Sequence, residues 1–183
     1  MMKSLLAMLA TLTLTTSAFA GEIDPNQSSI KWRGSKITGD YHDGQISTRS
    51  STLKLVNGRV SSGEVVFDMD SFTVGNLEGE WKDKFLGHMK SADFFDVAKF
   101  PTATLKLSRI KKGTASGELT VKGITQPITF PVALVDGKYV GKATFDRTKF
   151  GIIYGSGSFF KNLGDKLIND QIDVEFSLSV TGD

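Results

Sequence analysis

Ser51 to Asp70 reads STLKLVNGRVSSGEVVFDMD, and this stretch decides the fold. Ser51 to Val56 is a short β-prone run, Asn57-Gly58 follows at once, and Arg59-Val60 restarts the pattern. Asn-Gly supplies two residues tolerant of positive φ, as a two-residue hairpin requires. On the returning run, Val65, Phe67 and Met69 share one side, while Glu64, Val66, Asp68 and Asp70 share the other. A period of two means a strand with one covered face, and the turn sets the register that selects that face.

The same alternation recurs in both directions. Upstream, Ile30 and Trp32 oppose Lys31 and Arg33, Thr38-Gly39-Asp40 bends the chain, and Tyr41 to Ser47 forms another strand. Downstream, Ala103, Leu105 and Leu107 share a face, then Ala115, Gly117, Leu119 and Val121, with Lys112-Gly113 and Gly123 as turns. Ile128, Phe130, Val132 and Leu134 follow, Asp136-Gly137 turns the chain, and Tyr139, Gly141, Ala143 and Phe145 alternate again. Ile172, Val174, Phe176, Leu178 and Val180 form the last and cleanest face. About eight strands with short turns predict an all-β antiparallel sandwich or barrel. A barrel removes exposed sheet edges, and eight strands is the number whose interior can hold one small ligand.

One stretch departs from this pattern. Trp81 to Pro101 reads WKDKFLGHMKSADFFDVAKFP. Leu77, Trp81 and Phe85 are spaced i, i+4, i+8, with His88 three further on, which predicts one face of a short helical insertion near residues 76–90. Gly87 is expected to weaken or end that helix. Asp93-Phe94-Phe95-Asp96 reads as a compact turn, and Phe100-Pro101 stops any helix. The insertion is expected to cap the barrel mouth.

The chain has 183 residues, which suggests one domain after its leader. Lys and Arg total 22 against 20 Asp and Glu, so no clustered basic surface points to a nucleic-acid partner. There is no cysteine, which excludes disulfides, thiolate metal sites, cysteine nucleophiles and lipoprotein processing. Residues 1–20 read as a signal peptide: Met1-Met2-Lys3 is a basic start, Leu5 to Leu14 an apolar run, and Ala18-Phe19-Ala20 a cleavage motif. Cleavage after Ala20 leaves a domain over residues 21–183, exported to the periplasm, with no stable membrane span.

Thirteen phenylalanines either fill a core or line a lumen, and composition leaves the two open. The candidate ligand-binding residues are Trp32, Phe67, Phe130, Phe145 and Phe176 on strands, with Trp81, Phe85, Phe94 and Phe95 closing one end. His42 and His88 are the only histidines and show no metal-ligand spacing, so no metal is expected. No G-x-S-x-G elbow occurs, no catalytic residue is assigned, and Gly151 to Gly157 reads as a loop. His88, Arg147 and Lys149 are the candidates for a ligand head group. A simple pairing of Arg147 with a nearby aspartate is equally open.

Leu86 to Pro101, reading LGHMKSADFFDVAKFP, resembles the signature of the YceI-like, polyisoprenoid-binding proteins, H-L-K-S-x-D-F-F-D-V-x-x-Y/F-P. Gly117 to Pro127 and Asp146 to Ile152 resemble later family stretches in the same order. Met89 replaces the usual leucine, and Gln27-Ser28-Ser29 stands where the family often has His-Ser. The resemblance implies a lipocalin-like antiparallel barrel in the periplasm. Its lumen would bind an amphiphilic isoprenoid lipid, such as a polyprenyl phosphate or an isoprenoid quinone, with no other cofactor. A carrier without catalysis is the expected function. A filled barrel acting as an interaction module and an enzyme acting on such a lipid are the alternatives, and a homodimer is left open.

Overall fold

A computed structural model of the chain describes residues 18–182. The leader's Met1-Met2-Lys3 and Leu5 to Leu14 lie outside the described residues. The strand segments are β1 (Ala18–Ile23), β2 (Ser29–Ser35), β3 (Tyr41–Gln45), β4 (Ser47–Val56), β5 (Arg59–Asp68), β6 (Thr102–Lys111), β7 (Thr114–Val121), β8 (Ile124–Val135), β9 (Lys138–Asp146) and β10 (Gln171–Gly182). One helix, α1 (Gly79–Lys90), interrupts them between β5 and β6.

The ten segments build eight barrel strands, all antiparallel. Both β1 and β2 lie along β10, β2 against Asp173 to Ser177 and β1 against Val180 to Gly182. Their other neighbours are β4 and β3, which only Ile46 separates. Thus β1 with β2 is one broken strand, and β3 with β4 one bent strand. The ring runs from these through β5, β6, β7, β8 and β9 to β10 and closes on β1. This is the expected eight-stranded lipocalin-like barrel, with its helical insertion in place.

The first strand starts earlier than alternation indicated. Glu22 to Ser29 reads as a polar lead-in, yet Glu22 and Ile23 pair with Thr181 and Val180. The cause is the length of β10, twelve residues, whose last turns of ladder need a partner that β2 does not reach. Ala18 to Ala20, the expected cleavage motif, pairs with Val56 to Lys54, whereas Gly21↔Leu53 and the contacts to β10 involve only residues after it.

Four two-residue turns join β4–β5, β6–β7, β7–β8 and β8–β9. Their central pairs all have positive φ: Asn57 and Gly58 (51° and 71°), Lys112 and Gly113 (50° and 76°), Lys122 and Gly123 (51° and 74°), Asp136 and Gly137 (48° and 78°). That geometry matches the twist of the strands it joins. Chain direction then sorts the connections. The β2–β3 turn, the 69–101 insertion, Lys122-Gly123 and the 147–170 segment lie at one end, and the other three hairpins at the opposite end.

In the insertion, a 3₁₀ turn (Met69–Ser71) leads to α1, which runs through Gly87 to Lys90. Gly87 is exposed and a side chain there would meet nothing, so its cost is entropic only and does not end the helix. Leu77 precedes the helix rather than joining its stripe. After α1 the chain folds tightly, with Phe95 N–H donating to Met89 O (3.1 Å) and Val97 N–H to Lys90 O (3.0 Å).

Candidate functional site

The inward faces of the strands do not fill the barrel. They leave a cavity of about 860 Å³, within the range of small-molecule sites. Trp32, Phe67, Phe130, Phe145 and Phe176 all line it, as do Phe85, Phe94 and Phe95 from the insertion. The space exists because small residues sit between the large ones. Ala103, Ala115 and Ala143 face inward, and Gly141 stands opposite Phe176 in the ladder. A Cβ on Gly141 would strike the Phe176 ring and the Pro131 carbonyl, so glycine is what lets that ring lie flat across the wall. Phe176 in turn packs edge-on to Phe130 at 5.6 Å.

The lumen has a floor. Tyr139 on β9 accepts a hydrogen bond from Val60 N–H on β5 at 2.7 Å. In the ring order these strands stand four apart of eight, on opposite walls, so the phenol spans the lumen. Ile23, Leu53, Leu55, Val60 and Val65 pack around it with Leu178 and Val180.

The opposite end is a mouth with polar groups. The second half of α1 packs there while its first half stays exposed. Phe85 stacks on Trp32 (6.2 Å) and tilts against His42 (4.6 Å). Trp32 also stacks on Phe72 (4.4 Å) and donates its indole N–H to Thr73 O at 3.0 Å. Gly44 makes that approach feasible, since a Cβ there would collide with the Thr73 backbone. His42 Nδ1 lies 3.1 Å from Asn76 Oδ1, and His88 meets the Tyr154 ring at 4.5 Å and Phe94 at 5.7 Å. Lys36, Asp40, His42, Asn76, His88 and Tyr154 all border the cavity.

Three expected site residues are placed otherwise. Trp81 is 73% exposed and does not line the lumen. Its helical angle matches Phe85, but it sits one turn earlier, on the part of α1 that packs on nothing. Lys149 is exposed and outside the cavity wall. Arg147 does border the lumen, yet at 1% exposure its guanidinium is committed to its own chain. Nε donates to Asn169 O (3.1 Å), Nη1 to Ile152 O and Tyr154 O (2.8 Å each), and Nη2 to Ile168 O (3.1 Å) and Asp170 Oδ1 (3.4 Å). All five donors of a guanidinium are thereby used. Burial lowers its pKa, and Asp170 and Asp146 oppose that effect. Arg147 is therefore the staple of the 147–170 segment rather than a free head-group clamp. Within the Gly151 to Gly157 loop, Ser156 is fully buried.

Of the head-group candidates, His88 alone lies at the mouth with its ring unpaired by any side-chain hydrogen bond among the described residues. Tyr139, Tyr154, His42 and Phe72 belong to the lumen wall but carry no assigned role in the sequence reading. Tyr139 was legible there, since it alternates inward with Gly141 and Ala143. Tyr154 and Phe72 sit where alternation stops and give no periodic signal. Among the described residues no group of three or more His, Asp or Glu could hold a metal, and no helix is long and apolar enough to cross a membrane. The arrangement suits retention of an apolar chain with a polar end at the mouth.

The YceI-like domain model matches residues 22–180. The protein named YceI from Salmonella newport is 30% identical over 145 residues, covering 74% of each chain. A UPF0312 protein from Shewanella denitrificans is 28% identical over 193 residues, covering 94% of this chain and 99% of its own. Among solved structures, BcnA of Burkholderia cenocepacia superposes with a TM-score of 0.67 at 21% identity, covering 87% of this chain and 99% of that one. A polyisoprenoid binding domain from Saccharophagus degradans gives 0.61 at 16% identity, covering 90% and 99%.

Proposed function

The chain belongs to the YceI-like family, and on that premise we propose that it is a periplasmic carrier that holds an isoprenoid-type amphiphile in its barrel lumen. The observation that carries this reading is the lumen itself: about 860 Å³, walled by aromatic and aliphatic side chains, floored by Tyr139 and polar only at the mouth. An apolar tail would be retained by burial, at roughly 25 cal/mol per Å² before ordering costs. His88, His42 and Asn76, which all border the cavity, would face the head group, as a carbonyl or phosphate requires. The structural neighbour from Saccharophagus degradans, described as polyisoprenoid binding, supports this ligand class.

The filled-barrel alternative needs a lumen smaller than about 300 Å³, which the cavity exceeds. The enzymatic alternative lacks an orienting partner: among the described residues the His88 ring makes no side-chain hydrogen bond and meets the Phe94 and Tyr154 rings. Export through cleavage after Ala20 is part of the proposal and is tested by N-terminal sequencing of protein from the periplasmic fraction. The ligand is tested by native mass spectrometry of protein purified without detergent, followed by solvent extraction. A mass excess that extracts as a prenyl lipid is expected. A ligand-free protein that also refuses added polyprenyl phosphate and quinone contradicts the reading.

A further inference from the structure

The end where the cavity opens is also apolar on its outside. Ile37 is 64% exposed, Phe159 is 56% exposed, and Tyr154 and Phe160 are exposed beside them. Single exposed apolar side chains need no explanation, whereas a grouped set does. These are grouped by hydrogen bonds: Ile37 N–H donates to Leu167 O (3.1 Å), Ile168 N–H to Gly155 O (2.8 Å), and the amides of Phe159 and Phe160 to Ser156 O (3.2 and 2.9 Å). The segment that presents them is anchored by buried Ser156 and the Arg147 staple, so the rings are held outward by built structure. The same loops form the cavity rim through Lys36, Tyr154 and Ile168. Trp81 is exposed on the first turn of the helix that supplies Phe85 and His88 to the mouth.

We propose that this mouth end docks on a lipid bilayer, with Ile37, Tyr154, Phe159 and Phe160 entering the interfacial layer. Aromatic rings with flanking lysines are the composition that settles at headgroup depth. Lys161 and Lys166 are exposed on the same loop and, among the described residues, in no ion pair; Asp165 is the acid beside them. The apolar rim is continuous with an apolar lumen, so a docked bilayer and the cavity form one low-dielectric path and a tail enters without crossing water. A protein seated on the same rim would cover the opening. The loading step rests on the proposed function, but docking itself does not.

Vesicle flotation of the full processed chain tests this, using phosphatidylethanolamine with phosphatidylglycerol, and phosphatidylcholine alone. The protein is expected to float with the vesicles. Its tryptophan emission shifts to the blue as Trp81 leaves water, because the only other tryptophan, Trp32, is already buried. The double variant Phe159→Ser, Phe160→Ser lowers the vesicle-bound fraction by about ten-fold, from lost apolar burial, with its thermal midpoint unchanged. Failure to float with either vesicle overturns the proposal. So does a double variant that floats as well as the parent, or flotation abolished by salt alone, which is adsorption by charge. A protein that floats with an empty lumen that takes up no lipid contradicts the carrier reading and leaves docking standing.

Discussion

The phenolic oxygen of Tyr139 and the amide of Val60 are joined at 2.7 Å from opposite walls of the barrel. Pairing of β5 with β6 ends at Gly63↔Leu107, so the Val60 N–H lies beyond the ladder on that side. The tyrosine supplies the acceptor that the neighbouring strand does not. It thereby turns an open barrel end into a floor. Tyr139→Phe keeps the ring and removes the acceptor. A loss of about 1 kcal/mol is expected, read from urea denaturation, and an unchanged midpoint would show that water replaces the phenol.

Arg147 separates a structural role from a head-group role. Lysine at this position keeps the charge but cannot reach five acceptors from one planar fork. Arg147→Lys is expected to cost about 3 kcal/mol, as for a buried pair left incomplete. Hydrogen exchange across residues 151–170 should accelerate at the same time. A variant of normal stability that has lost only its ligand would instead restore Arg147 to the head group.

Acid should weaken the fold through the same segment. At Asp170, burial opposes ionisation, but hydrogen bonds from Ser158 and Ser156 and the Arg147 charge outweigh it and hold its pKa below the ordinary value. Asp173 is also lowered, chiefly by Lys142 at 2.8 Å and then by Thr144. A depressed carboxyl stabilises the fold above its unfolded pKa, about 3.9, and loses that contribution as pH falls through the folded value. The thermal midpoint should therefore be level at neutral pH and decline below about pH 4. Asp170→Asn should lower the midpoint at neutral pH and flatten the acid decline; an unaltered pH profile would contradict the assignment.

Phe85 and Trp81 lie one helical turn apart and should behave oppositely. Phe85 borders the lumen against Trp32 and His42, whereas Trp81 faces solvent with the Lys84 ammonium 5.6 Å from its ring. Trp81→Ala should change stability by less than about 0.5 kcal/mol and leave lumen retention intact. Phe85→Ala should open the mouth and speed ligand release, measured by exchange of bound for labelled lipid. Equal effects of the two would contradict the helix placement.

These contrasts show what was legible in the sequence. Period-two runs and X-Gly turns carry the barrel because each strand exposes one face and each turn demands positive φ; Phe67, Phe130, Phe145 and Phe176 were found that way. Helical spacing alone placed Trp81 with Phe85, but angle does not say where a helix stops touching its support. Arg147 stood open between a head group and a nearby aspartate because spacing cannot reveal that five carbonyl and carboxylate oxygens from residues 152–170, Asp170 among them, converge on it. Tyr154 and Phe72 lie in aperiodic segments whose position depends on contacts far along the chain. The continuity of β1 with β2 depends on their shared neighbour β10 and has no local signal.

The central claim is that the lumen is the ligand's seat. Ala143 lies midway along β9, inward, beside Ala115 and Phe130. Phenylalanine at that position would occupy the cavity rather than the packed wall. The decisive measurement is prenyl lipid per mole of protein, quantified by extraction after equal exposure of the parent and Ala143→Phe. The account predicts near-stoichiometric lipid in the parent and about ten-fold less in the variant, with cooperative unfolding retained in both. Equal lipid in the two proteins, or none in either, would contradict it.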